Sequence, residues 1–116
     1  MTSINFSHLF RAVLALVLTS GAMAAQAQTV DLKAAEDLLL ANKCAKCHSV
    51  DKQKDGPSFK KTAAKYKGKA DGEAKLFTHL TTAPMVEIDG VKEEHFKVKA
   101  KDDAAINNLA KYILSR

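Results

Sequence analysis

Apolar residues recur at helical spacing along the chain from residue 32 onward. In the first such segment they fall at i, i+3, i+6 and i+7, and they are Leu32, Ala35, Leu38 and Leu39. In the last segment they fall at i, i+3, i+4 and i+7, and they are Ile106, Leu109, Ala110 and Ile113. This period is typical of helices that bury one face. The pattern therefore predicts an all-α fold.

The boundary residues divide the pattern into about four helices. Asp31 is a suitable N-cap for a first helix that begins at Leu32 and runs to about Cys47. Residues 59–66 predict a short second helix, and residues 73–81 predict a third. His79 lies off the apolar stripe of the third helix, so we expect it to be exposed.

The segment between the third and fourth helices, residues 84–101, has no regular pattern. It contains Gly90 and a charged run at residues 92–94. Because apolar and polar residues do not alternate over a useful length, we expect irregular structure rather than strands. The fourth helix begins at Lys101 or Asp102.

The first 27 residues differ in composition from the rest. Arg11 is their only Asp, Glu, Lys or Arg, an unbroken apolar run covers residues 12–18, and the residues 25–27 fit the small-x-small cleavage pattern. The run is shorter than the roughly 20 residues that span a membrane. We therefore predict a signal peptide at 1–27, cleaved after Ala27, and a single domain at 28–116. Cleavage after Ala24 and an uncleaved anchor are the alternatives.

The predicted mature chain is moderately basic. The sequence has 18 Lys and Arg against 13 Asp and Glu, and removing Arg11 leaves a net charge of +4. The lysines are spread along the chain, which is typical of a solvated surface; a cationic face that steers docking to an acidic partner is the alternative. No basic stripe interleaved with aromatic residues occurs, which disfavours nucleic-acid binding.

The only two cysteines lie in one five-residue stretch, Cys44-Ala45-Lys46-Cys47-His48. C-x-x-C-H is the attachment signature of c-type haem. Residues three and four apart on a helical turn share a face, so the two sulfurs and the imidazole can address one flat cofactor. The motif predicts thioether bonds from Cys44 and Cys47 to one haem c, with His48 as the proximal iron ligand.

Other roles for two closely spaced cysteines fit the sequence less well. A thioredoxin-like couple requires a βαβ pattern, which is not visible. A closed zinc site requires four ligands, and His79 and His95 are too far apart to supply the usual histidine pair. A disulfide across so short a loop would gain little stability.

Gly56-Pro57 follows the predicted proximal ligand closely. Pro57 lies nine residues after His48, and its carbonyl can reach the imidazole N–H. Such an acceptor fixes the ring and raises its basicity. A simple turn is the alternative.

With these features in place, the chain resembles the class I cytochromes c, specifically the short bacterial monohaem type. The resemblance covers essentially the whole predicted mature chain and rests on the C-x-x-C-H motif, Gly56-Pro57, and the segments 63–66 and 109–114. It implies that the N- and C-terminal helices cross, with Tyr112 at the crossing. It also implies haem attachment outside the cytoplasmic membrane, and hence a periplasmic location.

The second axial ligand is where the sequence departs from this family, which usually has a methionine in the loop before the last helix. Met85 is the only methionine outside the signal peptide, but it precedes Asp102 by 17 residues. His95 precedes Asp102 by seven residues and matches the family position by spacing, and imidazole is a common iron ligand. We expect His95 as the distal ligand, with Met85 as one alternative and an open site as the other.

The expected function is that of a monomeric one-electron carrier rather than an enzyme. Electrons would pass at the exposed haem edge to redox partner proteins with acidic docking faces, and Lys43, Lys46 and Lys60 would rim that edge. A histidine pair would give a lower potential than a His/Met pair. The alternative is a haem protein that binds a small ligand or acts like a peroxidase, which requires an open or dissociable sixth position.

Overall fold

The structure, a computed structural model, describes residues 29–116. It has four α-helices and one two-stranded hairpin, which are α1 (Leu32–Ala41), α2 (Phe59–Tyr66), α3 (Gly72–Thr82), β1 (Met85–Ile88), β2 (Val91–Glu94) and α4 (Asp103–Leu114). The four helices confirm the predicted all-α class. The predicted signal peptide at 1–27 lies outside the described residues. None of the described helices is long and apolar enough to cross a membrane.

The first helix is shorter than predicted. Asp31 caps it as expected, since its carboxylate accepts a hydrogen bond from the backbone N–H of Ala34 at 3.0 Å. The helix ends at Ala41, so the prediction that it continues to Cys47 is wrong. Lys43 adopts a left-handed conformation with φ of 57°, which a right-handed helix cannot include. The break allows the chain to begin a separate 3-10 turn at Cys44–Lys46.

The other three helices begin and end close to the predicted residues. Ser58 caps α2 by accepting from the N–H of Lys61 at 3.2 Å, and Asp102 caps α4 by accepting from the N–H of Ala105 at 2.9 Å. These short polar side chains satisfy backbone donors that have no partner within the helix. Local capping chemistry therefore sets where these helices start.

The core forms around α4, which packs against the other three helices. Its centre contains Leu109 and Ala110, and both are fully buried together with Ala35 of α1. Two alanines at this contact allow the backbones of α1 and α4 to approach closely. Tyr112 lies beside them, with its ring edge toward Phe59 at 6.5 Å between centroids. The hydroxyl of Tyr112 donates to Glu36 of α1 at 3.4 Å.

The segment 84–101 contains an antiparallel hairpin, so the prediction that it has no strands is wrong. Met85 pairs with Glu94, and Ile88 pairs with Val91 across a two-residue turn. The turn is Asp89-Gly90, and both residues have positive φ, at 50° and 82°. Asp-Gly between β-branched residues is a strong signal for this kind of hairpin, but each strand has only four residues. The pattern was therefore too short to stand out as alternation.

Candidate functional site

The C-x-x-C-H segment folds into one tight turn at the end of α1. The backbone N–H groups of Cys47 and His48 both donate to the carbonyl of Cys44, at 3.2 and 3.0 Å. Both cysteines are free thiols and half-buried. Burial raises the pKa of the Cys44 thiol, because a low-dielectric environment disfavours the thiolate. The turn places the two sulfurs and the imidazole in one short stretch of backbone.

The ring of His48 is fixed on one side by its own loop. Its Nδ1 lies 2.8 Å from the carbonyl oxygen of Pro57. Because a carbonyl can only accept, Nδ1 carries the proton and Nε2 is left as the basic nitrogen. The ring also stacks on Phe59 of α2, with centroids 5.7 Å apart and planes 21° apart.

Gly56 permits this arrangement by lacking a side chain. Its N–H donates to the carbonyl of Cys47 at 2.8 Å, which folds the loop back over the motif. A Cβ at this position would lie 2.4 Å from Cε1 of His48 and 2.8 Å from its Nδ1. Contacts this short are not tolerated, so the close approach of backbone and imidazole requires glycine.

His95 lies beside His48, just after the hairpin. The centroids of the two rings are 6.1 Å apart, and their planes are inclined by 51°. The backbone N–H of His95 donates to the carbonyl of Pro84 at 2.9 Å, and that of Val98 donates to Leu80 at 2.8 Å. These two bonds fix the path of the loop on either side of His95.

One atom of His95 has an unusual environment. Its Nδ1 is buried and is the only such side-chain nitrogen or oxygen in residues 29–116 that has no hydrogen-bond partner. Burial lowers the pKa of His95, partly opposed by the Phe96 backbone. Buried polar atoms without partners are uncommon and often mark functional positions.

His79 joins this cluster, although the sequence predicted an exposed residue, and that prediction is wrong. It is half-buried, and its ring centroid lies 4.6 Å from that of His95, with the planes at 61°. Burial, followed by the proximity of His95 and His48, lowers the pKa of His79. The available signal was its position three residues after Leu76, because residues i and i+3 share a helix face.

Met85, the other candidate distal ligand, lies at the first position of β1. Its side chain is 61% exposed, and its cross-strand partner is Glu94. The structure therefore brings His95 next to His48 and His79 next to His95, and it places Met85 on the hairpin.

The three lysines named as candidates for docking differ in their surroundings. Lys43 and Lys46 are exposed and flank Cys44. Lys60 is also exposed but forms an ion pair with Asp51. A fourth lysine, Lys54, donates to the carbonyl of Ala45 within the motif. Lys43 and Lys46 therefore have the clearest position for contact with another protein.

Comparison with known proteins places these features in a family. The sequence matches the family model described as Cytochrome c over residues 32–116. The crystal structure of the class 1 cytochrome MtoD from Sideroxydans lithotrophicus ES-1 is 49% identical to the chain, with a TM-score of 0.71, and the match covers 75% of this chain and 97% of that one.

Curated relatives give the same result. Cytochrome c-551 of Pseudomonas aeruginosa is 30% identical over 106 residues, which covers 90% of this chain and 95% of that protein. Cytochrome c-551 of Pseudomonas denitrificans is 45% identical over 47 residues, which covers 40% of this chain and only 57% of that protein. The latter alignment thus spans little more than half of the relative.

Family, fold and motif agree about the prosthetic group. Proteins of the cytochrome c family carry one covalently attached haem c. The match includes both cysteines and all three histidines of the site, as well as the four helices around them. The chain belongs to the class I c-type cytochromes.

Proposed function

We propose that this protein is a periplasmic one-electron carrier whose single haem c is held by Cys44, Cys47, His48 and His95. The observation that carries the proposal is the pair of neighbouring imidazole rings, with centroids 6.1 Å apart, in a chain whose two cysteines are free and half-buried. When bound, haem c supplies an iron that alternates between Fe(III) and Fe(II). The chain attaches the group, fills both axial positions and binds no substrate, so the protein is a carrier and not an enzyme.

The separation of the rings fits a metal ion between them. Two imidazoles bonded to one metal ion at about 2.0–2.1 Å would have their ring centres about 6 Å apart. The observed value is 6.1 Å. No group of three or more His, Cys, Asp or Glu that could hold a metal ion occurs within residues 29–116. An iron in a porphyrin would need only two ligands from the protein, because the porphyrin nitrogens supply the other four.

The two axial side chains are held in different ways. For His48, the Pro57 carbonyl fixes the tautomer, so that Nε2 is the nitrogen available to iron. The stack on Phe59 fixes the plane of the ring. For His95, the backbone bond to Pro84 fixes where the side chain leaves the loop. The ring of His48 is therefore fixed by its own loop and by α2, and the backbone of His95 is fixed by the hairpin.

His95 is preferred over Met85 as the distal ligand on the basis of position. The His95 ring lies 6.1 Å from that of His48, whereas Met85 begins strand β1 and pairs with Glu94. A histidine pair implies a lower potential than the His/Met pair of many cytochromes c, because a thioether raises the potential.

Spectroscopy of the oxidised holoprotein tests this assignment. Changing His95→Ala should vacate the sixth position and convert a low-spin haem to a high-spin one. The matched change Met85→Ala should leave the spectrum as in the wild type. The reverse result would assign the distal position to Met85 and refute the proposal for His95.

The proposed docking surface for partner proteins is the lysine-rich segment around the motif. Nine lysines and only two acidic residues lie between positions 43 and 69, so the positive charge is more concentrated than the composition alone suggests. Such a field would favour encounter with partners that have acidic faces. We propose that the protein meets them as a monomer, with Lys43, Lys46 and Lys60 near the exposed haem edge.

Small redox reagents of opposite charge test the role of these lysines. Changing Lys43, Lys46 and Lys60 to Glu should slow oxidation by anionic ferricyanide and speed reduction by cationic hexaammineruthenium(II), most strongly at low salt. As a control, the same three charges can be reversed at Lys33, Lys75 and Lys92, away from the motif. Equal effects of the two triple variants would count against a specific surface.

The periplasmic location rests on the predicted signal peptide. Export followed by cleavage after Ala27 would give residues 28–116 with one haem attached. Mass spectrometry of the exported protein measures both events together. A bare polypeptide mass, from cells able to make c-type cytochromes, would contradict covalent attachment.

Small-ligand binding or peroxidase-like activity is the alternative function. It requires a free or easily vacated sixth position, and the position of His95 beside His48 weighs against it. Carbon monoxide added to the reduced protein separates the two functions. Slow or absent binding at neutral pH is expected for the carrier, and rapid stoichiometric binding would favour the alternative.

A further inference from the structure

His79 belongs to the histidine cluster, but neither the proposed haem attachment nor the proposed axial ligation uses it. It lies on α3, one residue before Leu80, whose carbonyl accepts the N–H of Val98. The bond to Val98 ties the end of α3 to the loop that carries His95. His79 is thus held next to His95 by the backbone as well as by packing.

The contact between the two rings is close and oriented. Their centroids are 4.6 Å apart at an interplanar angle of 61°, which is the edge-to-face arrangement that aromatic rings prefer. The ring of His48 is farther away, at 6.1 Å from that of His95. The ring of His95 therefore lies near that of His48 and in closer contact with that of His79.

The two proposed axial histidines differ in how their second nitrogen is satisfied. His48 has the Pro57 carbonyl at 2.8 Å from Nδ1. The buried Nδ1 of His95 makes no hydrogen bond of ordinary geometry, and the ring has only a weak contact with the Phe96 backbone. A metal-bound imidazole normally has an outer partner that fixes its orientation. Without one, His95 depends on packing, and His79 is the ring that packs against it.

We infer that His79 is a positioning residue for the distal ligand, an inference that rests on the proposed axial role of His95. Its imidazole packs edge-to-face on that of His95 and restricts rotation of the distal ring. It thereby replaces the hydrogen-bonded support that Pro57 gives to the proximal ring. His79 itself does not bind the iron.

The test uses oxidised and reduced holoprotein with three changes on α3. His79→Ala removes the ring, His79→Phe keeps a flat ring without nitrogens, and Thr78→Ala is a control at an exposed neighbouring position. The readouts are the electron paramagnetic resonance g-values, the reduction potential, and the rate at which cyanide displaces the distal ligand. None of them responds to a uniform loss of stability alone.

His79→Ala should broaden or shift the low-spin g-values and speed cyanide binding by about tenfold, the lower end of the range by which losing an outer-shell partner weakens metal binding. His79→Phe should restore much of the wild-type behaviour, and Thr78→Ala should match the wild type. Wild-type g-values and cyanide rates in His79→Ala would overturn the inference.

The variant His95→Ala separates this inference from the proposed function. If His95→Ala vacates the sixth position and His79→Ala does not change the spectrum, the axial assignment stands and the positioning role fails. If His95→Ala leaves the sixth ligand in place and His79→Ala removes it, His79 is the ligand and both proposals fail.

Discussion

The side chain of Asn42 holds the backbone of Lys99 by two hydrogen bonds. Its amide nitrogen donates to the Lys99 carbonyl at 3.0 Å, and its amide oxygen accepts from the Lys99 N–H at 2.8 Å. Asn42 immediately follows α1 and lies two residues before Cys44, whereas Lys99 lies four residues after His95. One side chain thus connects the haem-attachment motif to the loop of the proposed distal ligand.

Removing this connection should loosen the distal loop. We expect Asn42→Ala to lower the free energy of unfolding by about 1–2 kcal/mol, because each hydrogen bond contributes roughly 1 kcal/mol net. Asn42→Asp keeps the acceptor but sets a carboxylate against the Leu38 and Lys99 carbonyls at the C-terminus of α1, so it should cost at least as much. Denaturant unfolding of the holoprotein measures both, and equal stability of all three proteins would contradict the prediction.

Asn108 provides a matched comparison away from the site. It makes the same two-bond contact with the backbone of Asp31, accepting from its N–H at 2.9 Å and donating to its carbonyl at 2.8 Å. Asn108→Ala should also cost about 1–2 kcal/mol of stability. Asn108 joins α4 to the start of α1, away from the distal loop. Cyanide should therefore bind to Asn108→Ala at the wild-type rate and to Asn42→Ala faster. Equal cyanide rates in the two alanine variants would show that Asn42 has no special link to the site.

Gly56→Ala should damage the proximal side directly. The added Cβ would lie 2.4 Å from Cε1 of His48, so the ring or the loop must move and the contact with Pro57 is lost or lengthened. Overpacking of this kind costs about 1–3 kcal/mol. We also expect a changed reduction potential, since the acceptor on His48 tunes the basicity of the ligand.

Gly68→Ala is the control for the Gly56 variant. Gly68 has φ of 74° and no atom within 4 Å of its added Cβ, so alanine there strains only the backbone. It should lower stability without changing the potential. If Gly56→Ala and Gly68→Ala both had the wild-type reduction potential, the close approach of the Gly56 backbone to His48 would have no effect on the potential.

Ala83→Gly should stabilise the protein. Ala83 ends α3 with φ of 51°, a left-handed conformation that costs an L-residue about 1–2 kcal/mol. Glycine removes this cost, but the unfolded chain gains flexibility, so the expected net gain is up to about 1 kcal/mol. Thermal unfolding measures it. A lower melting temperature than that of the wild type would be inconsistent with strain at this residue.

The features that could be predicted from the sequence are those set by neighbours along the chain. Asp31 and Asp102 cap helices because a short carboxylate reaches N–H groups three residues on. The stripe on α4 is buried because its spacing matches the helical period. The spacing of Cys44, Cys47 and His48 identified the cofactor because all three residues lie within one turn of backbone.

The features that the sequence did not reveal depend on distance across space. The burial of His79 follows from the bond between Val98 and Leu80, which brings a distant loop onto α3. The early end of α1 depends on the left-handed Lys43 and on the contacts of Asn42 with Lys99.

The sequence by itself determined the helical class, the caps and the attachment motif, because each depends on interactions within a few residues. Only the tertiary structure decided that the ring of His95 lies beside that of His48 and in contact with that of His79. The physical reason is that hydrogen bonds and packing between distant segments fix the path of the 84–101 loop, and spacing along the chain does not specify them.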